Sequence, residues 1–279
     1  MELVNMMTLL NEATDDHKAV AAINVSNMET IMGVMEASEK TGQSVIMQIA
    51  PVQLEAHGIT YEQIVSMIKL FGKSYQIKTC IHLDHAMAID DCFKAIDAGF
   101  TSVMYDGTLV DFETNMAHTK KVVDYAHGHG VTVEAELGKV GGSEASEDED
   151  MGYKTRPEDV AVFVERTGVD CLAVAIGNAH GFYTLEPQLD FALLHAIKDV
   201  ADIPLVLHGG TGISVADIQQ AIQMGIRKVN FFTEIDRAYV KGFVEAYEEN
   251  KKIYMMHASE KARQAMMQEI INKIGWMRP

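Results

Sequence analysis

Short apolar runs recur along the chain, and longer amphipathic segments separate them. The runs are rich in β-branched residues and show almost no alternation in polarity, which indicates strands buried on both faces of a parallel sheet. We predict eight strands, at residues 20–25, 44–49, 78–83, 102–105, 131–136, 171–176, 205–207 and 228–231. Between them we predict helices at residues 28–41, 89–98, 114–127, 156–167, 190–200 and 215–224, several of which end next to a glycine.

This alternation of strands and helices predicts an α/β fold, a TIM (β/α)8 barrel with a C-terminal helical extension. The 279 residues fit a single domain of this type, spanning residues 1–279. A doubly wound open sheet is the structural alternative. We interpret the helical tail, residues 236–279, as the last barrel helix plus an extension that packs on the barrel or on a partner subunit.

The composition restricts the classes of partner. Hydrophobic residues make up 48% of the chain, enough for one large core, and the formal net charge is -17. This charge argues against a nucleic-acid binder, because phosphate contacts need clustered Lys and Arg. The sequence contains nothing that resembles a signal peptide or a membrane span. Three cysteines without metal-like pairing fit a reducing compartment, and we expect a cytoplasmic protein.

Polar residues cluster where the predicted strands end. Active sites of TIM barrels lie at the carboxyl ends of the strands, so these positions indicate chemistry. His85, His180 and His208 each follow a strand on this rim. Three imidazoles with one open position are a known ligand set of catalytic Zn²⁺, which acts as a Lewis acid on substrate oxygens. A histidine taken alone is more often a packed or surface residue, and we interpret the other histidines in that way.

Two neighbours of His85 have different expected roles. Asp84 is a candidate for proton transfer or for supporting a metal ligand. We place His82 on the opposite face of its strand from Asp84, and we expect it to pack or hydrogen-bond rather than to bind metal.

Two glycine-rich segments lie beside the predicted rim. The first, residues 209–212, follows the seventh strand, and its backbone N–H groups are able to approach an anion closely. With Asn230 and Thr233 after the eighth strand, it matches the phosphate position that TIM barrels often use. The second, residues 138–152, is also acidic, and it is either a solvated surface loop or a mobile lid at the catalytic face.

Motifs over nearly the whole chain resemble those of the class II fructose-bisphosphate and tagatose-bisphosphate aldolase family. They are residues 82–85, 133–138 with 141–142, 173–177 with 180–181, 207–210, 228–230 with 233–234, and Asn24 with Asn27 and Glu29. The shorter variety of this family, which includes the tagatose enzymes, fits the length best. The resemblance implies reversible, zinc-dependent cleavage of a ketose phosphate into dihydroxyacetone phosphate and an aldehyde.

The resemblance also implies residue roles. Asp84 would move the proton of the aldehyde oxygen, and Glu144 the proton of the enediolate carbon. The zinc ligands would be His85, His180 and His208, and Asp106 and Glu136 would form an alternate, buried position for the metal. Substrate contacts would come from Asn24, Gly181, Gly209, Gly210, Thr211, Asn230 and Thr233. A monovalent cation, Na⁺ or K⁺, is implied near the phosphate. We also expect a homodimer or homotetramer.

The chain departs from the family pattern at several positions, which keep the metal and dihydroxyacetone phosphate sites and affect the aldehyde half of the substrate. Four positions differ from the usual residues: Ala86, Thr211, Ala50 and Ala145. Family members that act on bisphosphates commonly bring an Arg from near the C-terminal helices to the distal phosphate. The corresponding region here, residues 251–257, contains neither Pro nor Arg. We interpret Arg263, further along the chain, as a solvated helix residue. We therefore expect a ketose 1-phosphate with another distal group, such as a sulfonate. A fructose- or tagatose-bisphosphate aldolase proper is the alternative.

Two further interpretations stay open. A metal-dependent hydrolase or epimerase on the same barrel also places histidines at strand ends. Its double-metal sites usually carry His-x-His on the first strand, where Ala22-Ile23-Asn24 stands. A non-enzymatic binding or assembly protein would have no use for the proton-moving acids Asp84 and Glu144.

Overall fold

Eight parallel strands close into a barrel in the computed structural model, which describes residues 1–142, 153–181 and 187–279. The strands are β1 (Glu2–Leu3), β2 (Val20–Asn24), β3 (Val45–Ile49), β4 (Lys78–Ala86), β5 (Ser102–Tyr105), β6 (Thr132–Leu137), β7 (Cys171–Val174), β8 (Leu205–Leu207) and β9 (Ile226–Phe231). The ring runs β4-β3-β2-β9-β8-β7-β6-β5, and pairing of β4 with β5 closes it, while β1 pairs with β4 outside the ring. Closure confirms the predicted TIM barrel and excludes the open sheet.

Helices follow the strands around the ring. In the described residues they are α1 (Met6–Asp15), α2 (Met28–Thr41), α3 (Pro51–His57), α4 (Tyr61–Gly72), α5 (Ile89–Ala98), α6 (Phe112–Gly128), α7 (Pro157–Thr167), α8 (Phe191–Val200), α9 (Val215–Gln223), α10 (Thr233–Glu249) and α11 (Met255–Trp276). Local signals fix their ends; the Asn27 side chain caps α2, and Gly42 ends it in the left-handed conformation. The helices predicted from the sequence begin and end within two residues of the observed ones, and α1, α3 and α4 are additional to them.

The barrel interior has an apolar floor. Inward-facing residues at the beginnings of the strands, including Val20, Ile46 and Cys80, pack against Met6 and Leu10 of α1. The helix α1 therefore covers the amino-terminal end of the barrel. The other faces of the strands form a separate hydrophobic core with the surrounding helices.

Polar side chains line the interior toward the carboxyl ends of the strands. Residues two apart in a strand share a face, so His82 and Asp84 follow Cys80 into the interior. Our placement of His82 on the opposite face from Asp84 is therefore wrong. The expectation that His82 hydrogen-bonds is confirmed, because its Nδ1 lies 2.8 Å from Ser102 Oγ.

The C-terminal extension packs on the barrel. The helix α11 lies against α10 and α2, and the backbone N–H of Ala19 donates to the carbonyl of Met277 at 3.0 Å. Tyr254, Met255 and Met256, where α11 begins, are strongly exposed. None of the helices in the described ranges combines the length and the hydropathy needed to cross a membrane.

Candidate active site

A β-bulge in β4 brings two neighbouring side chains to the same rim. Leu83 pairs with Val103, and Ala86 pairs with Tyr105. Between these pairs, two residues of β4, Asp84 and His85, lie opposite one residue of β5, Met104. His85 has a left-handed backbone conformation with φ 47°, which a non-glycine residue keeps only where the surrounding structure holds it. A regular strand would point the two side chains to opposite faces. The bulge is therefore the local feature that lets both serve one site.

The imidazoles of His85, His180 and His208 meet at the carboxyl end of the barrel. The centroid of the His85 ring lies 4.9 Å from that of His180 and 4.7 Å from that of His208, and the last two are 5.7 Å apart. One nitrogen of each ring lies within 4.8 Å of the corresponding nitrogens of the other two. The structure thus brings together the three histidines singled out in the sequence, from the end of β4 and from the loops after β7 and β8.

Carboxylates hold two of these rings by one nitrogen each. His85 Nδ1 lies 2.8 Å from Asp106 Oδ2, and His208 Nε2 lies 2.9 Å from Glu134 Oε1. Within the described part of the chain, His85 Nε2, His180 Nε2 and His208 Nδ1 are buried without a hydrogen-bond partner. Buried polar atoms are normally paired, and histidines whose second nitrogen contacts a carboxylate are typical of zinc ligands. The three residues therefore fit a divalent metal ion such as zinc.

A second group that could hold a metal shares His85. It consists of His85, Asp106 and Glu136, whose potential ligand atoms also lie within 4.8 Å of one another. Glu136 Oε1 accepts the Val140 N–H at 3.0 Å, and Glu136 Oε2 lies 3.2 Å from His208 Nδ1. The two groups are thus contiguous, and the second contains Asp106 and Glu136, the residues that the resemblance implied for an alternate metal position.

A buried ion pair lies beneath the histidines. Lys228 Nζ lies 2.9 Å from Glu134 Oε2, and both side chains are fully buried. Burial disfavours the charged carboxylate, but Lys228 and His208 outweigh this effect and hold the pKa of Glu134 well below its usual range. Burial and Lys228 together lower the pKa of His82 to about 3, so this ring is neutral. An ionised Glu134 accepts the Nε2 proton of His208, so Nδ1 is the nitrogen of this ring that a metal ion would use.

Amide side chains surround the buried Asp84. Its Oδ2 lies 3.0 Å from Gln48 Nε2 and 3.5 Å from Asn24 Nδ2, and its Oδ1 lies 3.4 Å from Asn230 Nδ2. Burial acts to raise the pKa of Asp84, but His85 and Lys228 reverse this and place its pKa below the ordinary value. Asp84 is therefore an ionised carboxylate, able to accept a proton.

Gln48 and Glu134 are site residues that sequence reasoning missed. Gln48 Nε2 also donates to Asn24 Oδ1 at 2.8 Å, so it fixes the orientation of both neighbours. Gln48 Oε1 and Asn230 Oδ1 are buried acceptors without a donor among the described residues. The two-residue strand period could have identified Gln48 and Glu134, because it puts Gln48 on the face of Ile46 and Glu134 on the face of Glu136.

The glycine-rich turn after β8 lies against the end of β9. Gly210 N–H donates to the Asn230 carbonyl at 2.9 Å, and Gly212 N–H donates to Glu234 Oε1 at 3.3 Å. Asn178 Nδ2 donates to the His208 carbonyl at 3.0 Å and so ties the start of this turn to the loop that carries His180. The predicted phosphate cradle and the three histidines are thus parts of one rim.

Gly209 is the position of the turn where a side chain is least tolerated. Its φ is 62°, and an added Cβ would lie 2.0 Å from the Ala179 carbonyl oxygen. We expect Gly209→Ala to lower the free energy of unfolding by about 1–3 kcal/mol and to displace the turn, lowering kcat/KM. Thermal unfolding and steady-state kinetics measure both effects. Gly275→Ala in α11, where a Cβ meets nothing within 4 Å, is the matched control; equal behaviour of the two variants would contradict the assigned strain.

Glu144 and Ala145 lie outside the described residues, in the segment 143–152. On either side of that segment, Lys139 and Tyr153 form an antiparallel bridge, and Gly141 bridges Ala179. Gly141, on the amino-terminal side of the segment, therefore lies beside the loop that carries His180. Its assignment as a surface loop or a lid stays open.

Comparisons with known proteins agree with this geometry. The family model described as fructose-bisphosphate aldolase class-II matches residues 4–278. A fructose-bisphosphate aldolase of Geobacillus stearothermophilus is 41% identical over 256 residues, which are 91% of this chain and 89% of that protein. The uncharacterized protein YdjI of Escherichia coli K12 is 39% identical over 265 residues, which are 95% of this chain and 93% of that protein.

A solved structure extends the comparison to three dimensions. The crystal structure of the YdjI aldolase from Escherichia coli K12 superposes with a TM-score of 0.86 and 36% sequence identity. The superposition covers 99% of this chain and 97% of the YdjI chain, so the similarity includes the C-terminal extension.

Proposed function

Because the chain belongs to the class II fructose-bisphosphate aldolase family, it is a lyase, and we propose that it reversibly cleaves a ketose 1-phosphate into dihydroxyacetone phosphate and an aldehyde. One observation carries the proposal. Three buried imidazole nitrogens converge without hydrogen-bond partners among the described residues, beside the ionised Asp84. Family membership favours this activity over the hydrolase, epimerase and binding protein that the sequence left open.

Class II aldolases are generally zinc-dependent, and the chain has a matching group of residues. We assign His85, His180 and His208 as the zinc ligands, with Asp106 and Glu136 as an alternate position. A bound zinc ion would act as a Lewis acid on the substrate carbonyl oxygen.

The chain's own acids would move the protons. In the cleavage direction, Asp84 accepts the proton of the C4 hydroxyl as the C3–C4 bond breaks, and C4 becomes the aldehyde carbonyl. The electron pair of that bond stays on the dihydroxyacetone phosphate half as an enediolate. The enediolate carbon then takes up a proton, and we assign the delivery of this proton to Glu144. The low pKa of Asp84 supports its part, because the group must be ionised before it accepts a proton.

The dihydroxyacetone phosphate half would bind between the carboxyl ends of β2, β8 and β9. We assign its contacts to Asn24, Gly181, Gly209, Gly210, Thr211, Asn230 and Thr233. Support comes from the position of the glycine-rich turn next to His208, and from the start of α10 at Thr233, where backbone N–H groups favour an anion. Asn230 Oδ1, a buried acceptor without a donor among the described residues, suits a substrate hydroxyl.

The distal end of the substrate would carry a group other than phosphate, such as a sulfonate. Arg263, which follows residues 251–257 and is a candidate for binding a distal phosphate, is not the solvated residue that we expected. It is largely buried and forms an ion pair with Glu36 of α2. Lys251 is paired with Glu248 at 2.5 Å. Arg263 and Lys251 are already paired with carboxylates. The residues that we considered for binding a second phosphate therefore do not offer it the two parallel N–H donors of an arginine.

A substrate panel tests this proposal. We expect kcat/KM to be about tenfold or more higher for a 6-sulfonated analogue of fructose 1-phosphate than for fructose or tagatose 1,6-bisphosphate, a difference that one charged contact supplies. Fructose 1-phosphate serves as the reference without a charged distal group. The matched variant Arg263→Gln should change kcat/KM for all four substrates by the same factor. Preference for a bisphosphate, or a loss confined to bisphosphates in Arg263→Gln, would overturn the distal assignment and leave the aldolase proposal standing.

We further propose a single-domain, cytoplasmic enzyme that assembles as a homodimer or homotetramer. The exposed Tyr254, Met255 and Met256 support a subunit contact, because clustered exposed apolar residues mark interaction surfaces. A monovalent cation, Na⁺ or K⁺, is proposed near the phosphate on the family resemblance alone.

A further inference from the structure

A buried lysine in the C-terminal extension is connected to the candidate phosphate site. The side chain of Lys273 in α11 is 1% exposed, and it forms ion pairs with Glu234 and Glu269. Its ammonium group also lies 3.7 Å from the centroid of the Trp276 ring. Buried charges occur where they are paired, so this cation ties α11 firmly to the beginning of α10.

Glu234 joins that lysine to the glycine-rich turn. It is the second residue of α10, and its Oε1 accepts the backbone N–H of Gly212 at 3.3 Å, while its Oε2 faces Lys273 Nζ. A single carboxylate thus connects the C-terminal extension to the turn that follows β8. The connection runs through direct contacts at both ends.

The carboxylate would be unfavourable beside a substrate phosphate if it were alone. Like charges repel, and a phosphate and a carboxylate both seek the same backbone N–H groups. Lys273 supplies the opposite charge on the other side of Glu234. Lys273, which also pairs with Glu269, therefore lowers the repulsion between Glu234 and the phosphate while Glu234 holds Gly212 in place.

We propose that Lys273 is a positioning residue for the substrate phosphate. Through Glu234 it fixes the turn at residues 209–212 in its binding conformation, and it offsets part of the negative charge of that carboxylate. The inference rests on the proposed function, since it takes this turn to be the phosphate site. It gives the C-terminal extension a part in substrate binding in addition to its packing role.

The test measures binding of inorganic phosphate by titration calorimetry, together with steady-state kinetics and zinc content. Lys273→Met removes the charge and retains most of the apolar stem. We expect it to weaken phosphate binding about tenfold and to raise KM by a similar factor, with kcat and zinc content near wild type, as for lost ground-state binding. Lys261→Met is the matched control, because Lys261 lies on the same helix, 51% exposed, and pairs with Glu249; it should behave as wild type.

Removing the carboxylate charge should rescue the variant. In Lys273→Met/Glu234→Gln the amide oxygen still accepts the Gly212 N–H, and the repulsion is gone, so phosphate affinity should return to within about threefold of wild type. A purely structural lysine would not give this rescue. Unchanged phosphate affinity in folded Lys273→Met, or failure of the double variant to recover, overturns the inference.

A second variant decides the question if Lys273→Met does not fold. Glu234→Gln alone should bind phosphate at least as tightly as wild type, and a tenfold loss would contradict the inference. Phosphate binding needs no turnover, so these outcomes are separate from the identity of the ketose substrate. Absence of phosphate binding and of cleavage in the wild-type protein would instead overturn the proposed function.

Discussion

Asp84→Ala is expected to lose carbon–carbon cleavage by about two to four orders of magnitude in kcat, the range for a positioned general acid or base. The carboxylate is fully buried beside His85, and its low pKa keeps it ionised and ready to accept the hydroxyl proton. Zinc content and affinity for dihydroxyacetone phosphate should stay close to wild type, because Asp84 is not one of the converging ligands. Release of triose phosphate, metal analysis and binding calorimetry measure the three quantities.

Two companion variants sharpen this result. Asp84→Asn keeps the shape of the side chain and removes its ability to take a proton, so it should lose cleavage to a similar extent. Asp124→Ala, at an exposed position of α6, should be fully active. If Asp84→Ala cleaves at the wild-type rate, the assigned role is wrong even though the family and fold remain.

His208→Ala is expected to lose bound zinc and, with it, all measurable cleavage. Removing this ring leaves two of the three converging imidazoles, fewer protein ligands than a catalytic zinc site normally has. The barrel should still fold, since Glu134 keeps its ion pair with Lys228 at 2.9 Å. Metal content per chain, circular dichroism and triose phosphate release are the measurements.

The matched control is His195→Ala. His195 lies on α8, is 69% exposed and pairs with Asp199, so its loss should leave zinc content and activity unchanged. Retention of one zinc ion per chain by His208→Ala would show that another residue completes the site. The proposed ligand set would then need revision.

The residues that the sequence identified are those that end strands. His85, His180 and His208 were recognisable because parallel strands all end on one rim, so their convergence follows from the fold. The bulge that turns Asp84 and His85 to the same side was not predicted, because it depends on the register between β4 and β5. Without the bulge, a strict two-residue period would separate the two side chains.

Other features depend on contacts between residues that are distant in sequence. Glu134 and Lys228 form a pair only once the barrel has closed, and although both lie within motifs of the family resemblance, nothing local marks them as partners. Likewise, Lys273 resembles an ordinary helix lysine until α11 packs over Glu234. Buried ion pairs of this kind are set by tertiary packing, which periodicity and spacing do not record.

One assay decides whether the three histidines support metal-dependent aldol cleavage. Triose phosphate release from a ketose 1-phosphate is followed with the protein as isolated, after removal of metal by a chelator, and after zinc is added back. We expect cleavage that the chelator abolishes and zinc restores, while circular dichroism shows the barrel intact throughout. Full activity in a preparation shown by metal analysis to be free of metal would rule out a catalytic metal at the three histidines.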